Sequence, residues 1–240
     1  MNRVLLNNVD HHDLRVAPVH GADHGDGVNQ MLIFPSEFEE AQRDFPIIFR
    51  RDQDGFRALA LLGLDRDENL FLDGDRWTSR YVPAIARRGP FSIALHQAEA
   101  GSDAPADPRI HLDLDDLRVG VEDGLPLFLE HGGNAPYLDH VAAVLRVLFE
   151  GVETAPQVYA EYERAGLLQP VALEIRLDDE RGYDLTDVYT IDQQALTDLS
   201  GEALDRLHRS GLLRAAIMAA SSLGNVSHLI DRKNRIQARG

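Results

Sequence analysis

The chain has 240 residues, with 24 Lys+Arg against 40 Asp+Glu and a formal net charge of −16. This excess of negative charge disfavours nucleic acid and anionic lipid as partners, and the absence of cysteine excludes disulfides, thiolate metal sites and a cysteine nucleophile. The apolar runs are far shorter than the roughly 18 residues of a membrane span, and the N-terminal run is too short for a secretory signal. We therefore expect a cytoplasmic protein without membrane insertion.

The first 30 residues are polar, rich in His, Asp and Gly, and without helical or strand periodicity. We expect residues 1–30 to form an extended arm and residues 31–240 to form a single domain. Residues 10–26 of the arm carry four histidines and four aspartates, which are transition-metal ligands when a fixed geometry holds them. Because an extended arm supplies no such geometry, we interpret this composition as a solvated tether.

Start, stop and turn signals predict the elements that follow the arm. Ser36 and Glu39 form a capping-box pattern, which predicts a short helix that ends near Asp44. Beyond this helix, short apolar runs alternate with acidic turns, and the Asp-Gly pairs at residues 54–55 and 73–74 are typical of hairpins. An antiparallel meander is predicted, with its first strands at residues 47–49, 56–64 and 69–72.

Two more strands are predicted at residues 91–96 and 109–114, with a Gly/Ser/Pro-rich loop at 101–108 between them. Residues 117–121 are a candidate for one further strand. From residue 137 onward the apolar residues recur every three or four positions, which is typical of amphipathic helices. This pattern predicts helices at residues 137–150 and 154–164.

The last third of the chain returns to strands and then to helices. Its predicted elements are strands at 171–177 and 186–191, a helix from Ser200 to Ser210 ended by Gly211, and a helix over 212–235. The predicted fold class is therefore α+β, with an antiparallel meander sheet that is covered by the C-terminal helices.

One segment concentrates positive charge in this acidic chain. Residues 76–91 hold four arginines and no acidic residue, interleaved with Trp, Tyr and Phe. Guanidinium groups and aromatic faces together suit carboxylates, peptides or phosphorylated ligands. The alternative is that the aromatic residues pack in the core while the arginines pair with the acidic turns. The candidate ligand-binding residues are Arg76, Trp77, Arg80, Tyr81, Arg87 and Arg88.

A second motif is the His-x-Asp spacing of His111 and Asp113 on a predicted strand. Residues two apart on a strand share a face, as two legs of a non-haem iron triad require. A third leg would have to come from a downstream histidine, and His131, His140, His208 and His228 are the candidates. The favoured interpretation is an ordinary surface strand, with an Fe(II)-dependent oxygenase as the alternative. No cofactor and no other catalytic residue is predicted.

An ordered set of short motifs identifies a resemblance to a known family. Its members are Phe45-Pro-Ile-Ile-Phe49, Ala60-Leu-Leu-Gly-Leu64, Glu68-Asn-Leu-Phe71, Trp77, Tyr81-Val-Pro83 and Arg88-Gly-Pro-Phe91. In this order and spacing they resemble the SapC family of bacterial proteins, and the similarity extends from His12-Asp-Leu-Arg-Val16 to Leu229-Ile-Asp-Arg232. The family is named from a surface-layer gene cluster, so the resemblance implies a surface-layer or outer-membrane-uptake context. It implies no catalytic residues.

These observations favour a non-catalytic accessory protein over an enzyme. The arginine and aromatic segment makes a peptide, a protein or a small anionic molecule the expected ligand. The apolar face of the C-terminal helix leaves a further alternative, a structural subunit that forms a homodimer.

Overall fold

The computed structural model of the protein describes residues 2–96, 107–177 and 182–238. The strands in these ranges are β1 (Arg3–Leu5), β2 (Arg15–Val16), β3 (Gln30–Ile33), β4 (Ile47–Asp52), β5 (Gly55–Leu61), β6 (Leu72–Asp73), β7 (Arg76–Trp77), β8 (Phe91–His96), β9 (Asp107–Asp113), β10 (Leu125–Pro126), β11 (Leu168–Arg176) and β12 (Gly182–Ile191). The helices are α1 (Phe38–Ala41), α2 (Ala84–Arg87), α3 (Pro136–Arg164), α4 (Gln193–Thr197), α5 (Gly201–Arg209), α6 (Leu212–Ser222) and α7 (Val226–Gln237), and short 3-10 turns occupy Ala22–His24, Pro35–Glu37 and Leu223–Asn225. Strand pairing is antiparallel throughout, and the predicted α+β class is confirmed.

The chain divides into two compact units. The first consists of Met1–His20 and Ala84–Phe149, and the second of Gly21–Pro83 and Glu150–Gly240. The predicted boundary between an arm and a domain at residue 30 stays a prediction. Within the arm, however, β1 pairs with β9, and β2 pairs with β10. Such pairings join residues about a hundred positions apart and leave no local signal in the sequence.

The first unit is built on a three-stranded sheet in the order β1-β9-β8 and on the β2-β10 pair. Its core is formed by apolar side chains from these strands and from the first part of α3. Its buried members are Val16, Phe91, Leu112, Leu127, Leu138, Val141 and Leu145. Residues 117–121 do not form the predicted strand, because only Val119 makes a bridge, to Val16. The predicted loop at 101–108 lies outside the described residues, except for positions 107 and 108 at the start of β9.

The second unit is built on a five-stranded sheet in the order β11-β12-β4-β5-β3. The predicted hairpin at residues 54–55 joins β4 to β5, and the one at 73–74 joins β6 to β7. Helix α6 packs on β4 and β12, as predicted for the C-terminal helices. The Ser222 hydroxyl, at the end of α6, accepts a hydrogen bond of 2.8 Å from the Ile47 amide of β4.

Local signals gave the wrong helix boundaries at three places. The predicted helices at 137–150 and 154–164 are one continuous helix, α3, because Thr154 bonds the Glu150 carbonyl at 2.8 Å instead of capping a new helix. The capping carboxylate of the first helical turn is Glu37, whose Oε2 accepts from the Phe34 amide, and not Glu39. The predicted helix at 212–235 is divided by the 3-10 turn at Leu223–Asn225.

Among the described residues, every helix is too short or too polar to cross a bilayer.

Candidate functional site

The structure places Arg76 and Trp77 on β7, in the hairpin of the second unit. The Trp77 ring is half-buried and packs edge-on against Phe45, with 6.4 Å between the ring centroids. Arg76 is exposed on the same strand. Trp77 thus contributes to the packing of the hairpin on the core of this unit.

Arg80 and Tyr81 make hydrogen bonds to acidic residues of the segment around α1. The Arg80 Nε donates to Asp44 Oδ1 at 3.1 Å, and its backbone amide donates to Asp44 Oδ2 at 2.9 Å. The Tyr81 hydroxyl donates to Glu37 Oε1 at 2.7 Å. Both side chains therefore help to hold this segment in place, and a role in ligand binding stays a prediction for them.

We expect Tyr81→Phe to lower the free energy of unfolding by about 2 kcal/mol, because hydrogen bonds to charged groups contribute about 1.5–3 kcal/mol each. Glu37 is only 3% exposed, so solvent cannot replace the lost donor. Urea denaturation measures the change. The matched control is Tyr183→Phe. The Tyr183 hydroxyl donates to the exposed Asp65, and we expect the loss of this hydrogen bond to cost less than about 0.5 kcal/mol. Equal stability of the two variants would contradict the structural role of Tyr81.

Arg87 and Arg88 lie in the first unit, at the end of α2 and directly after it. The chain turns sharply at Gly89, where φ is +57°, a conformation that favours glycine. Arg88 then donates from Nη1 to the Phe91 carbonyl at 2.8 Å, at the start of β8. This local bond fixes the half-buried Arg88 side chain on the surface of the first unit.

Further cationic and polar groups surround Arg88. Arg118 is 6% exposed, and its guanidinium forms a two-pronged ion pair with Asp116, at 2.8 and 2.7 Å. Measured from the position that a Cβ atom on Gly89 would occupy, Arg118 Nη1 lies at 4.0 Å and the Tyr137 hydroxyl at 3.9 Å. Arg118 and Tyr137 therefore converge on the turn that carries Arg88.

Neighbouring charges and burial affect the pKa of two groups here. Burial lowers the pKa of Arg88, and the positive charges of Arg3 and Arg118 lower it further, while Asp116 offsets part of the effect. Burial raises the pKa of the Tyr137 hydroxyl, so that it remains protonated and able to donate. We call Arg3, Arg88, Arg118 and Tyr137 the arginine cluster. The nearby groups that act most strongly on Arg88 are positive, which favours an anion beside it.

The sequence indicated Arg88 but missed the other members of the arginine cluster. Arg3 and Arg118 are distant in the chain and approach Arg88 through the β1-β9-β8 sheet and the segment that follows β9. Their sequence signal is weak, because each is a single arginine with no second arginine within eight residues.

A family model named SapC matches residues 6–229, nearly the whole chain. The chain belongs to the SapC family. Comparison with curated proteins and with solved structures finds no match. The SapC match includes Arg88, Arg118 and Tyr137 and begins just after Arg3.

The iron-site hypothesis for this SapC chain concerns His111 and Asp113 on β9. Asp113 accepts hydrogen bonds from the backbone amides of Asn2, at 3.0 Å, and of Asp115, at 3.2 Å. The His111 ring lies 3.3 Å from the Arg109 carbonyl. Within residues 2–96, 107–177 and 182–238, no three His, Asp or Glu side chains are grouped so that they could hold a metal ion. The same absence of a metal-binding group applies to the His- and Asp-rich residues 10–26.

Proposed function

We propose that this SapC protein is a non-catalytic binding protein whose arginine cluster receives the anionic group of a small ligand. The single observation that carries the proposal is that Arg118 and Tyr137 converge on the turn that carries the half-buried Arg88, in a chain whose net charge is −16. The net negative charge of the chain disfavours anions in general, so an anion is expected to bind at a local group of cationic side chains such as this one.

The chemistry of the cluster suits a carboxylate or a phosphate group. Arginine presents planar donors that match the oxygens of both anions, and charge-assisted hydrogen bonds are about twice as strong as neutral ones. Tyr137 adds a neutral donor. For the cellular role we propose an accessory function in the cytoplasm. Its context, the surface layer or outer-membrane uptake, is the one that the family resemblance implies.

Calorimetric titration with citrate and with pyrophosphate, at 50 mM and at 300 mM NaCl, tests the proposal. We expect saturable binding of at least one anion, weakened at the higher salt concentration. Arg88→Gln should weaken it by at least about tenfold, since a charge-assisted hydrogen bond contributes about 1.5–3 kcal/mol.

The matched control is Arg146→Gln, which removes the same charge from an exposed position on α3 in the same unit. We expect it to change the affinity less than twofold. The proposal is wrong if neither anion binds saturably, or if Arg88→Gln and Arg146→Gln bind equally well.

A further inference from the structure

The second unit contains a small pocket that is lined by the β6-β7 hairpin and by helix α7, with a volume of about 180 Å³. This volume is below the roughly 300–1,000 Å³ of sites for drug-sized molecules, so the pocket suits a smaller ligand. The pocket is independent of the arginine cluster, whose residues all belong to the first unit. Its charged and polar lining residues are Asp73, Thr78, Arg232 and Arg235.

Arg232 is held in the wall of this pocket by contacts that use only part of its guanidinium group. Its Nη1 donates to the Thr78 hydroxyl at 2.9 Å and to the Leu70 carbonyl at 3.3 Å. The guanidinium carbon lies over the Phe71 ring, 4.3 Å from its centroid. The Nε and Nη2 atoms have no hydrogen-bond partner among the described residues, and neither nitrogen is buried. Their N–H groups are therefore available to a ligand.

A second guanidinium group lies near the first. Arg235 follows Arg232 by three positions on α7, lines the same pocket and is exposed. Its Nε donates to the Asp231 carbonyl at 3.1 Å, which leaves Nη1 and Nη2. Burial lowers the pKa of Arg232, and the positive charge of Arg235 lowers it further, while Asp44 offsets part of the effect. Neither arginine forms an ion pair with a described residue, so a carboxylate would find two sets of donors here.

One residue of the lining carries the opposite charge. Asp73 on β6 is exposed, and its side chain makes no hydrogen bond or ion pair with the described residues. Asp73 thus lines the same small pocket as the two arginines without pairing with either of them. A ligand with both a carboxylate and an ammonium group would satisfy both sides, whereas a dianion such as phosphate would be repelled by Asp73.

The rest of the lining is apolar and comes from Leu70, Leu72 and Ile236. Leu70 is 3% exposed and forms the floor of this surface, while Ile236 is 49% exposed. An apolar group on the ligand would remove part of the Ile236 side chain from water, which is favourable.

From these features we infer that the pocket binds a small zwitterion, an α-amino acid with an apolar side chain. Its carboxylate bonds to Arg232 and Arg235, and its ammonium group pairs with Asp73. Its side chain packs against Leu72 and Ile236.

Three related probes test the inference. L-leucine carries both charges, 4-methylpentanoate is leucine without its ammonium group, and 3-methylbutylamine is leucine without its carboxylate. Calorimetric titration of the full chain should show saturable binding of leucine with one site per chain. Each of the other two probes should bind at least fivefold more weakly, because it leaves either Asp73 or the two arginines without a partner.

Two variants locate the probe. Arg235→Gln removes an exposed guanidinium group and should weaken leucine binding at least fivefold. Asp73→Asn should also weaken leucine at least fivefold, but it should not weaken 4-methylpentanoate, which has no ammonium group. The matched controls Arg66→Gln and Asp75→Asn remove the same charges from exposed positions outside the lining. We expect them to change the affinity for leucine less than twofold.

Three results would each overturn the inference. They are leucine binding that does not saturate, an affinity for either analogue equal to that for leucine, and wild-type leucine affinity in a folded Arg235→Gln or Asp73→Asn protein. The melting curve of each variant shows whether it is folded. Because both positions are exposed, we expect each Tm to stay within about 2 °C of the wild-type value.

Discussion

Replacing Lys233 by Met should lower the free energy of unfolding by about 2–3 kcal/mol, which is less than most fully buried ion pairs cost to break, because the partner Asp65 is exposed. Lys233 is the only lysine of the chain and is 6% exposed on α7. Its ammonium group donates to Asp65 Oδ2 and to Glu68 Oε1, both at 2.5 Å. The same Glu68 carboxylate also accepts from the Leu64 amide at 3.1 Å, so the ion pairs connect α7 to the loop that follows β5.

The effect of Lys233→Met should depend on pH. Burial acts to lower the pKa of Lys233, but the bonds to Asp65 and Glu68 raise it above its ordinary value of 10.5. The bond from Lys233 lowers the pKa of Asp65 below its ordinary value of 3.8. The stabilisation by Lys233 is complete below pH 10.5 and is lost as pH rises through the raised pKa of Lys233. The stabilisation by Asp65 is complete above pH 3.8 and is lost as pH falls through the lowered pKa of Asp65.

We therefore expect the stability difference between wild type and Lys233→Met to be largest between these limits. Urea titrations at pH 3, 7 and 10 measure it. The difference should be equal at pH 7 and pH 10, which lie inside the window, and smaller at pH 3, which lies below the ordinary pKa of Asp65. The control is Arg235→Met, which removes one positive charge from an exposed position of the same helix and should cost less than about 0.5 kcal/mol. A Lys233→Met protein as stable as the Arg235→Met protein at pH 7 would show that the ion pairs contribute nothing.

The features predicted correctly from the sequence depend on neighbouring residues. The strand at 91–96 is found where predicted, and the hairpin predicted at residues 54–55 is found with its turn one position earlier, at 53–54, because turn chemistry and short apolar runs act over a few positions. The features that were missed depend on distant residues. The pairing of β1 with β9 and the ion pairs of Lys233 join segments more than a hundred positions apart.

The same distinction applies to the candidate sites. Arg88 could be identified because four arginines are close together in the sequence, whereas Arg3 and Arg118 approach it only in the folded chain. For helix α3, the sequence signals were present but ambiguous. Gly151 and Thr154 are typical of a helix end and a helix start, yet α3 runs through both. The glycine at residue 151 is explained by a contact outside the helix, with the ring of Phe34.

Gly151→Ala should destabilise the protein by about 2 kcal/mol, although the same change inside a helix usually stabilises by about 1 kcal/mol. A Cβ atom at residue 151 would lie 2.3 Å from Cγ of Phe34 and 2.6 Å from its Cδ2, well inside van der Waals contact. Phe34 is buried, and its backbone amide donates to Glu37 in the cap of the first helical turn. Forcing an extra carbon into such packing costs about 1–3 kcal/mol.

A double-mutant cycle shows whether Phe34 is the cause. Phe34→Leu removes the ring, so we expect the loss in Gly151→Ala, Phe34→Leu to be smaller than the sum of the two single losses by about 1 kcal/mol or more. The control is Gly224→Ala, because a Cβ there meets no atom within 4 Å and the variant should be at least as stable as wild type. If the two single losses add without coupling, the destabilisation in Gly151→Ala does not come from the contact between residue 151 and Phe34.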